Sequence, residues 1–86
     1  MIFLDFLLEE EMIDILTYCL QNPDSDDVDS KKQRLKEIGK ELFNDGGVDA
    51  MENFFFVVEN RIIGEIEKDP KPFRNLWNGI TNEWNY

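Results

Sequence analysis

The sequence predicts an all-α fold, a compact bundle of about four helices within a single domain of residues 1–86. Apolar residues recur every three or four positions in four stretches, the spacing of one face of an α-helix. Residues typical of turns separate these stretches, at Asn22-Pro23, Gly46-Gly47 and Asp69-Pro70. A chain of 86 residues is also long enough for one small core and too short for a second domain.

The first helix is predicted from about Ile2 to Gln21. One apolar stripe recurs at steps of four, four, three and four residues, and we expect it to face the core: Leu4, Leu8, Met12, Ile15 and Cys19. A second apolar line is displaced from the stripe by roughly 120°, and it consists of Ile2, Phe6, Ile13 and Leu20. Two interpretations are open. The helix is either sandwiched between other helices of the domain, or its second line is a seam for a partner or a second copy.

A loop of proline, serine and aspartate is predicted from Asn22 to Asp29, followed by a second helix. Asp29 or Ser30 is the expected N-cap, and the helix continues from Lys31 to about Asn44. Gly46-Gly47 supplies the left-handed residue that commonly ends a helix. We interpret the basic residues at the start of this helix as a solvated face that pairs with nearby aspartates: Lys31, Lys32, Arg34 and Lys36.

Residues 48–66 allow two interpretations. As a helix, they place one apolar stripe on one side: Met51, Phe55, Val58 and Ile62. As strands, residues 54–66 would form a hairpin and give an α+β fold, since aromatic and β-branched residues favour strands. We favour the helix, because two strands alone make a marginal sheet.

A fourth amphipathic helix is predicted in the tail, after a turn at Asp69-Pro70-Lys71-Pro72. Its apolar positions have the spacing i, i+3, i+4, i+7 and i+11: Phe73, Leu76, Trp77, Ile80 and Trp84. Gly79 lies in the middle of this helix and costs it about 1 kcal/mol relative to Ala. The tryptophans are expected to close the core, and an exposed binding surface is the alternative.

The charge is concentrated at one end of the chain. The protein has 19 acidic and 9 basic residues and a formal net charge of −10. Residues 1–29 carry nine acidic residues and no Lys or Arg, so this acidic N-terminal helix and loop has a net charge of −9. Residues 30–86 form a near-neutral helical core with a net charge of −1. Such an asymmetry steers a basic partner to the acidic end and repels the phosphates of nucleic acids.

Several short patterns along residues 34–84 resemble one shared by small uncharacterised bacterial proteins. They are Ile38-Gly39, Leu42, Gly46-Gly47, Met51 and then Leu76-Trp77-Asn78-Gly79-Ile80 with Trp84. The resemblance leaves the acidic first third of the chain outside. It implies a compact helical domain and assigns no catalytic residue.

The residue inventory argues against an enzyme. The chain has no histidine, the side chain that most often moves protons near neutral pH, and the acids at Glu9-Glu10-Glu11 lie beside other solvated acids. An EF-hand starting at Asp24 would need a ligand where Val28 stands, so we expect no metal and no cofactor. The lone Cys19 cannot form an internal disulfide, which favours a cytoplasmic protein. The acids in the first helix interrupt its apolar run, so no membrane segment is expected.

The preferred functional hypothesis is a non-enzymatic, acidic protein-binding or regulatory module. Its expected partner is another protein with a basic surface. The hypothesis also allows the protein to form a homodimer through its first helix. The alternative is an inhibitor that mimics nucleic acid and occupies a basic nuclease or another nucleic-acid-binding protein. The candidate partner-binding residues are Ile2, Phe6, Glu9, Glu10, Glu11, Ile13, Asp14, Leu20, Asp24, Asp26 and Asp27.

Overall fold

The computed structural model describes residues 3–86 and confirms the all-α class. Helix α1 spans Phe3–Gln21, helix α2 spans Val28–Ile66, and a 3-10 helix spans Lys71–Trp77. The described residues thus form three helices rather than the predicted four, and they include no β-strand. Residues 54–66 are helical, which rules out the hairpin alternative. Ile2 lies outside the described residues, and side chains are described from Phe6 onward.

Helix α2 folds back on itself at Gly47, which separates a first arm of residues 28–46 from a second arm of residues 48–66. A straight helix of 39 residues would be about 58 Å long, whereas the longest dimension of the molecule is 32 Å. Gly47 has φ 73° and ψ −164°, a conformation open essentially to glycine alone. The predicted break at Gly46-Gly47 is therefore present, with the next helical arm following directly.

Helix α2 begins three residues before the predicted start at Lys31. The helix begins at Val28, with Asp27 as the N-cap residue, because the buried Val28 side chain joins the core. The preceding turn is held by side chains: the backbone N–H of Asp27 donates to Ser25 Oγ (3.3 Å), and the Tyr18 hydroxyl lies 2.7 Å from Ser25 Oγ. The Ser30 hydroxyl donates to the carbonyl of Asp27 (2.9 Å) rather than capping the helix.

The tail is not the predicted amphipathic α-helix. Proline lacks an N–H and biases the preceding residue away from helix. After Pro70 the chain forms a 3-10 helix, Lys71–Trp77, with Pro72 in its first turn. Beyond it, i to i+3 hydrogen bonds close separate turns, from Ile80 N–H to the Trp77 carbonyl and from Trp84 N–H to the Thr81 carbonyl (both 3.2 Å). Gly79 lies in one of these turns with φ 92°, so its role is conformational.

Helix α1 is an integral part of the core. Its buried side chains pack in one cluster with residues of both arms of α2 and with the two tryptophans of the tail. Among the described residues, α1 supplies Met12, Ile13, Ile15, Leu16 and Cys19. The boundary that charge suggests near residue 29 therefore does not coincide with a boundary in the packing.

Candidate protein-binding surface

The outer face of α1 changes from apolar to acidic along its length. Leu7, Glu10 and Asp14 are spaced i, i+3 and i+7 and lie on one side of the helix, with Phe6 beside Leu7. Phe6 is 46% exposed and Leu7 is 48% exposed, and Asp14 is also exposed. We call these four residues the α1 outer face. The aspartate loop follows at the carboxyl end of the helix, so acidic groups continue beyond this face.

The second apolar line predicted on α1 is mostly covered. Ile13 is only 4% exposed and belongs to the core, and Leu20 is partly buried against the core. This is the sandwiched arrangement, because α1 packs against both arms of α2. Of this line within the described part of the chain, Phe6 alone is largely exposed. A continuous apolar seam along α1 is therefore wrong, and Leu7 joins Phe6 on the surface instead.

Arg34 on the first arm holds Glu11 on α1 by two hydrogen bonds. Its Nε donates to Glu11 Oε2 at 2.6 Å and its Nη2 donates to Oε1 at 2.9 Å, the bidentate geometry that suits a guanidinium and a carboxylate. Glu37 and Glu41 also lie within 4 Å of this guanidinium. Three carboxylates around one arginine leave this cluster with a net charge of −2, so the ion pairs organise the acidic surface without neutralising it.

Arg61 on the second arm forms the equivalent cluster on the other side of α1. Its Nη1 donates to Glu9 Oε1 at 3.0 Å, and Glu10 and Glu65 lie 3.5 Å from the guanidinium. Glu9 is buried, which corrects the expectation that all three glutamates of Glu9-Glu10-Glu11 are solvated. A buried carboxylate requires a charged partner, and Arg61 supplies it. This cluster also has one positive charge and three negative charges.

The Glu11–Arg34 pair makes stability depend on pH. The hydrogen bonds from Arg34 lower the pKa of Glu11 below its ordinary value of 4.5, and the same hydrogen bonds raise the pKa of Arg34. A carboxylate with a lowered pKa in the folded state stabilises the fold above its unfolded-state pKa, and this contribution is lost as the pH falls through the lowered value. We expect Glu11→Gln to be less stable than the parent chain at pH 7, and the difference to vanish in acid.

Urea denaturation at a series of pH values from about 7 down to about 3 measures this difference. Asp14→Asn on the same helix is the matched control, because Asp14 is exposed and forms no ion pair within residues 6–86. The difference at pH 7 is expected to be at most about 1 kcal/mol, since both side chains are partly exposed. A Glu11→Gln effect of equal size at both ends of the pH range contradicts the assignment.

The aspartate loop presents solvated carboxylates at the far end of α1. Asp24 and Asp26 are exposed, and Asp27 is exposed while accepting a hydrogen bond from the Tyr18 hydroxyl at 3.3 Å. Within the described part of the chain, no three His, Cys, Asp or Glu side chains converge as a metal site would require. These aspartates therefore extend the acidic surface as separate charges.

A third arginine environment, that of Arg74, is buried under the tail. The Arg74 guanidinium lies 4.8 Å from the ring centroid of Phe55 and 4.9 Å from that of Tyr86. Its Nε is 3.5 Å from Glu59 Oε2, and neither buried atom has a hydrogen-bond partner. Cation–π contacts and the charge of Glu59 thus hold the guanidinium. The Tyr86 hydroxyl donates to Glu52 Oε1 at 3.0 Å and closes the chain end over this group. These contacts attach the tail to α2.

Two grooves border α1. One of about 500 Å³ separates it from the first arm and is lined by Glu11, Asp14, Ile15, Tyr18, Ser30, Lys31 and Arg34. The other, of about 410 Å³, is lined by Glu9, Leu42, Asp45, Ala50, Asn53, Phe54 and Val57. Both combine apolar and charged side chains and both are open to solvent.

The sequence interpretation missed Leu7 and the role of the arginines. Leu7, Glu10 and Asp14 have helical spacing and form a third line along the helix. Because only Leu7 in this line is apolar, apolar periodicity does not identify it. The ion pairs of Arg34 and Arg61 join residues 23 and 52 positions apart, so no local pattern identifies them.

No helix within residues 3–86 is both long enough and apolar enough to cross a bilayer. The resemblance to small bacterial proteins stays a prediction. Comparisons of the chain with protein-family models, with curated proteins and with solved structures find no significant match.

Proposed function

We propose that this protein is a non-enzymatic binding module that uses the α1 outer face to bind a protein with a basic surface. The observation that carries the proposal is the pairing of exposed Phe6 and Leu7 with acidic groups on the same helix face. Exposed apolar side chains give contact area, and the surrounding carboxylates select a basic partner and raise its association rate.

The ion pairs support the same proposal. The Arg34 and Arg61 clusters flank α1 and each has a net charge of −2, so a basic partner meets carboxylates on both sides of the apolar contact. Their side chains are already held in place, which lowers the entropy cost of binding. A cytoplasmic location and the absence of a cofactor are part of the proposal.

Mimicry of nucleic acid is the second candidate, and the aspartate loop favours it. Asp24, Asp26 and Asp27 are exposed within four residues and extend the charge of α1. The pairing of Glu9 and Glu11 with arginines favours the first candidate, since a mimic requires a row of free charges along one face.

The experiment uses the intact chain as an immobilised bait in a cell extract, followed by binding of the purified captured protein. Removal of α1 is unsuitable, because α1 contributes to the core. The informative variants are Phe6→Ser with Leu7→Ser, and Glu10→Gln with Asp14→Asn. Phe56→Ser is the matched control, because Phe56 is an exposed phenylalanine on the second arm.

We expect the purified partner to bind the parent chain and Phe56→Ser with equal affinity. The apolar double variant is expected to lose at least about tenfold in affinity. The acidic double variant is expected to lower the association rate and its dependence on salt. Equal binding by all variants contradicts the proposal. Displacement of the chain by duplex DNA from a nucleic-acid-binding protein favours mimicry instead.

A further inference from the structure

The groove of about 410 Å³ differs in charge from the other groove that borders α1. It lies between α1, the end of the first arm and the first half of the second arm. The described residues that line it include two carboxylates, of Glu9 and Asp45, and no basic side chain. We call it the Glu9 groove. Its apolar wall consists of Leu42, Ala50, Phe54 and Val57. An acidic groove with an apolar wall suits a cation that carries an apolar stem.

The carboxylate of Glu9 is only partly used by the fold. Its side chain is 8% exposed and lines the groove. Oε1 accepts a hydrogen bond from Arg61 Nη1 at 3.0 Å, whereas Oε2 has no hydrogen-bond or ion-pair partner within residues 6–86. Arg61 also lies 3.5 Å from Glu10 and from Glu65, so one positive charge is shared among three carboxylates. A carboxylate oxygen with so little contact with water gains from a charged hydrogen-bond donor, and the groove gives an external donor access to it.

The wall of the groove favours arginine among cations. A metal ion needs several oxygen ligands, and no three His, Cys, Asp or Glu side chains converge in the part of the chain that the structure describes. A guanidinium group stacks on aromatic rings and is less strongly hydrated than an ammonium group, so it loses less hydration than lysine does on entering an apolar groove. The wall supplies the ring of Phe54, and Leu42 and Val57 can contact the methylene groups of the stem.

The Glu9 groove adjoins the α1 outer face. Phe6 precedes Glu9 by three residues, so the two side chains are neighbours on the helix surface. Phe6 is 46% exposed, and a peptide segment that contacts its ring can therefore place an adjacent side chain in the groove. The net charge of −10 draws a basic segment toward the protein. The groove and the outer face thus form one continuous surface for a basic partner.

We propose that the Glu9 groove binds an arginine side chain of a basic peptide segment. The guanidinium group donates to Glu9 Oε2, and the stem lies on the apolar wall. Asp45 is exposed at the groove and adds attraction for the cation. That the segment belongs to the partner of the α1 outer face rests on the proposed function, whereas the groove itself can be tested with peptides alone.

The first test is an NMR titration of the intact, isotope-labelled chain with the blocked peptide Ala-Arg-Ala and with its lysine and citrulline counterparts. Citrulline has the shape of arginine without its charge. We expect the arginine peptide to shift the amide signals of Leu42, Asp45 and Phe54. We expect the citrulline peptide to bind at least about tenfold more weakly, and the lysine peptide at least about threefold more weakly. Equal binding of the citrulline peptide, or equally large shifts at Tyr18 and Lys31 in the other groove, overturns the proposal. Equal binding of the lysine peptide overturns the selection of arginine.

Two variants change the groove and keep the ion pair of Glu9, which Glu9→Gln would break. Ala50→Met fills the groove from the second arm and is expected to weaken binding of the arginine peptide by at least about tenfold. Asp45→Asn removes an exposed charge and is expected to weaken binding by about two- to fivefold. Asp49→Asn is the matched control, because Asp49 is exposed near the same bend and lies outside the groove. Circular dichroism checks the fold of each variant. Binding by Ala50→Met equal to that of the parent chain, or equal effects of Asp45→Asn and Asp49→Asn, overturns the proposal.

The peptide titration and the binding of the captured partner report on separate claims. If the arginine peptide binds in the groove while the partner binds Phe6→Ser with Leu7→Ser as well as it binds the parent chain, the proposed function fails and the groove assignment stands. If the partner depends on Phe6 and Leu7 while no arginine peptide binds in the groove, the groove assignment fails and the proposed function stands.

Discussion

Trp84→Ala is expected to lower the free energy of unfolding by about 3–5 kcal/mol, although Trp84 is only two residues before the last residue of the chain, Tyr86. The side chain is fully buried. Its ring centroid lies 5.1 Å from that of Trp77 and 6.2 Å from that of Phe55, and its Nε1–H donates to the Arg74 carbonyl at 2.7 Å. Removal of the indole leaves a cavity and opens the Arg74 environment to water.

The measurement is urea denaturation followed by far-ultraviolet circular dichroism, since the substitution changes the fluorescence. A domain of this length has a total stability of about 4–13 kcal/mol, so the variant is expected to be near its folding limit. Trp84→Phe is the graded control: it keeps an aromatic ring and loses the N–H, with an expected cost between those of the parent and Trp84→Ala. Asn85→Ala, next to it and exposed, is expected to change little. Equal stability of Trp84→Ala and the parent contradicts the assignment.

Gly39→Ala is expected to destabilise the protein by about 1–3 kcal/mol, against the direction that helix propensity predicts. Alanine is favoured over glycine in a helix by about 1 kcal/mol. A Cβ on Gly39, however, would lie 2.7 Å from Trp77 Nε1 and 2.8 Å from Ile80 Cδ1. The indole cannot move away without losing its hydrogen bond from Nε1 to the Leu35 carbonyl, which is 2.8 Å long.

Urea denaturation of the variant, together with tryptophan fluorescence, measures both the loss of stability and the displacement of Trp77. Lys40→Ala is the matched control, because Lys40 is the next residue on the same helix and is exposed. It is expected to shift stability by less than about 0.5 kcal/mol. Gly39→Ala that is more stable than the parent, with an unchanged emission spectrum, contradicts the close packing of Trp77 on Gly39.

Several features of the fold could be predicted from the sequence because their causes are local. The apolar periodicity defines α1 to its last residue, Gln21, and defines the second arm to Ile66. The break at Gly46-Gly47 follows from a backbone conformation that only glycine adopts readily. Periodicity within 20 residues and the conformational preference of single residues are both properties that a sequence displays directly.

The tail shows where such reasoning fails. Its apolar residues have helical spacing, yet two prolines remove backbone donors and the indoles are held by carbonyls of Leu35 and Arg74. The chain accordingly forms a 3-10 helix and turns. The same spacing of apolar residues is compatible with a continuous helix and with a series of turns. The contacts that the two indoles make in the folded protein decide between these two structures.

For the candidate protein-binding surface too, some features follow from the sequence and others depend on the tertiary structure. The sequence by itself determined an all-α protein with its acidic residues concentrated in the first third. The tertiary structure alone decided that Ile13 is covered, that Glu9 is buried beneath Arg61, and that Phe6 and Leu7 remain exposed. Exposure and ion pairing depend on which helices lie beside α1, and those contacts join residues that are far apart along the chain.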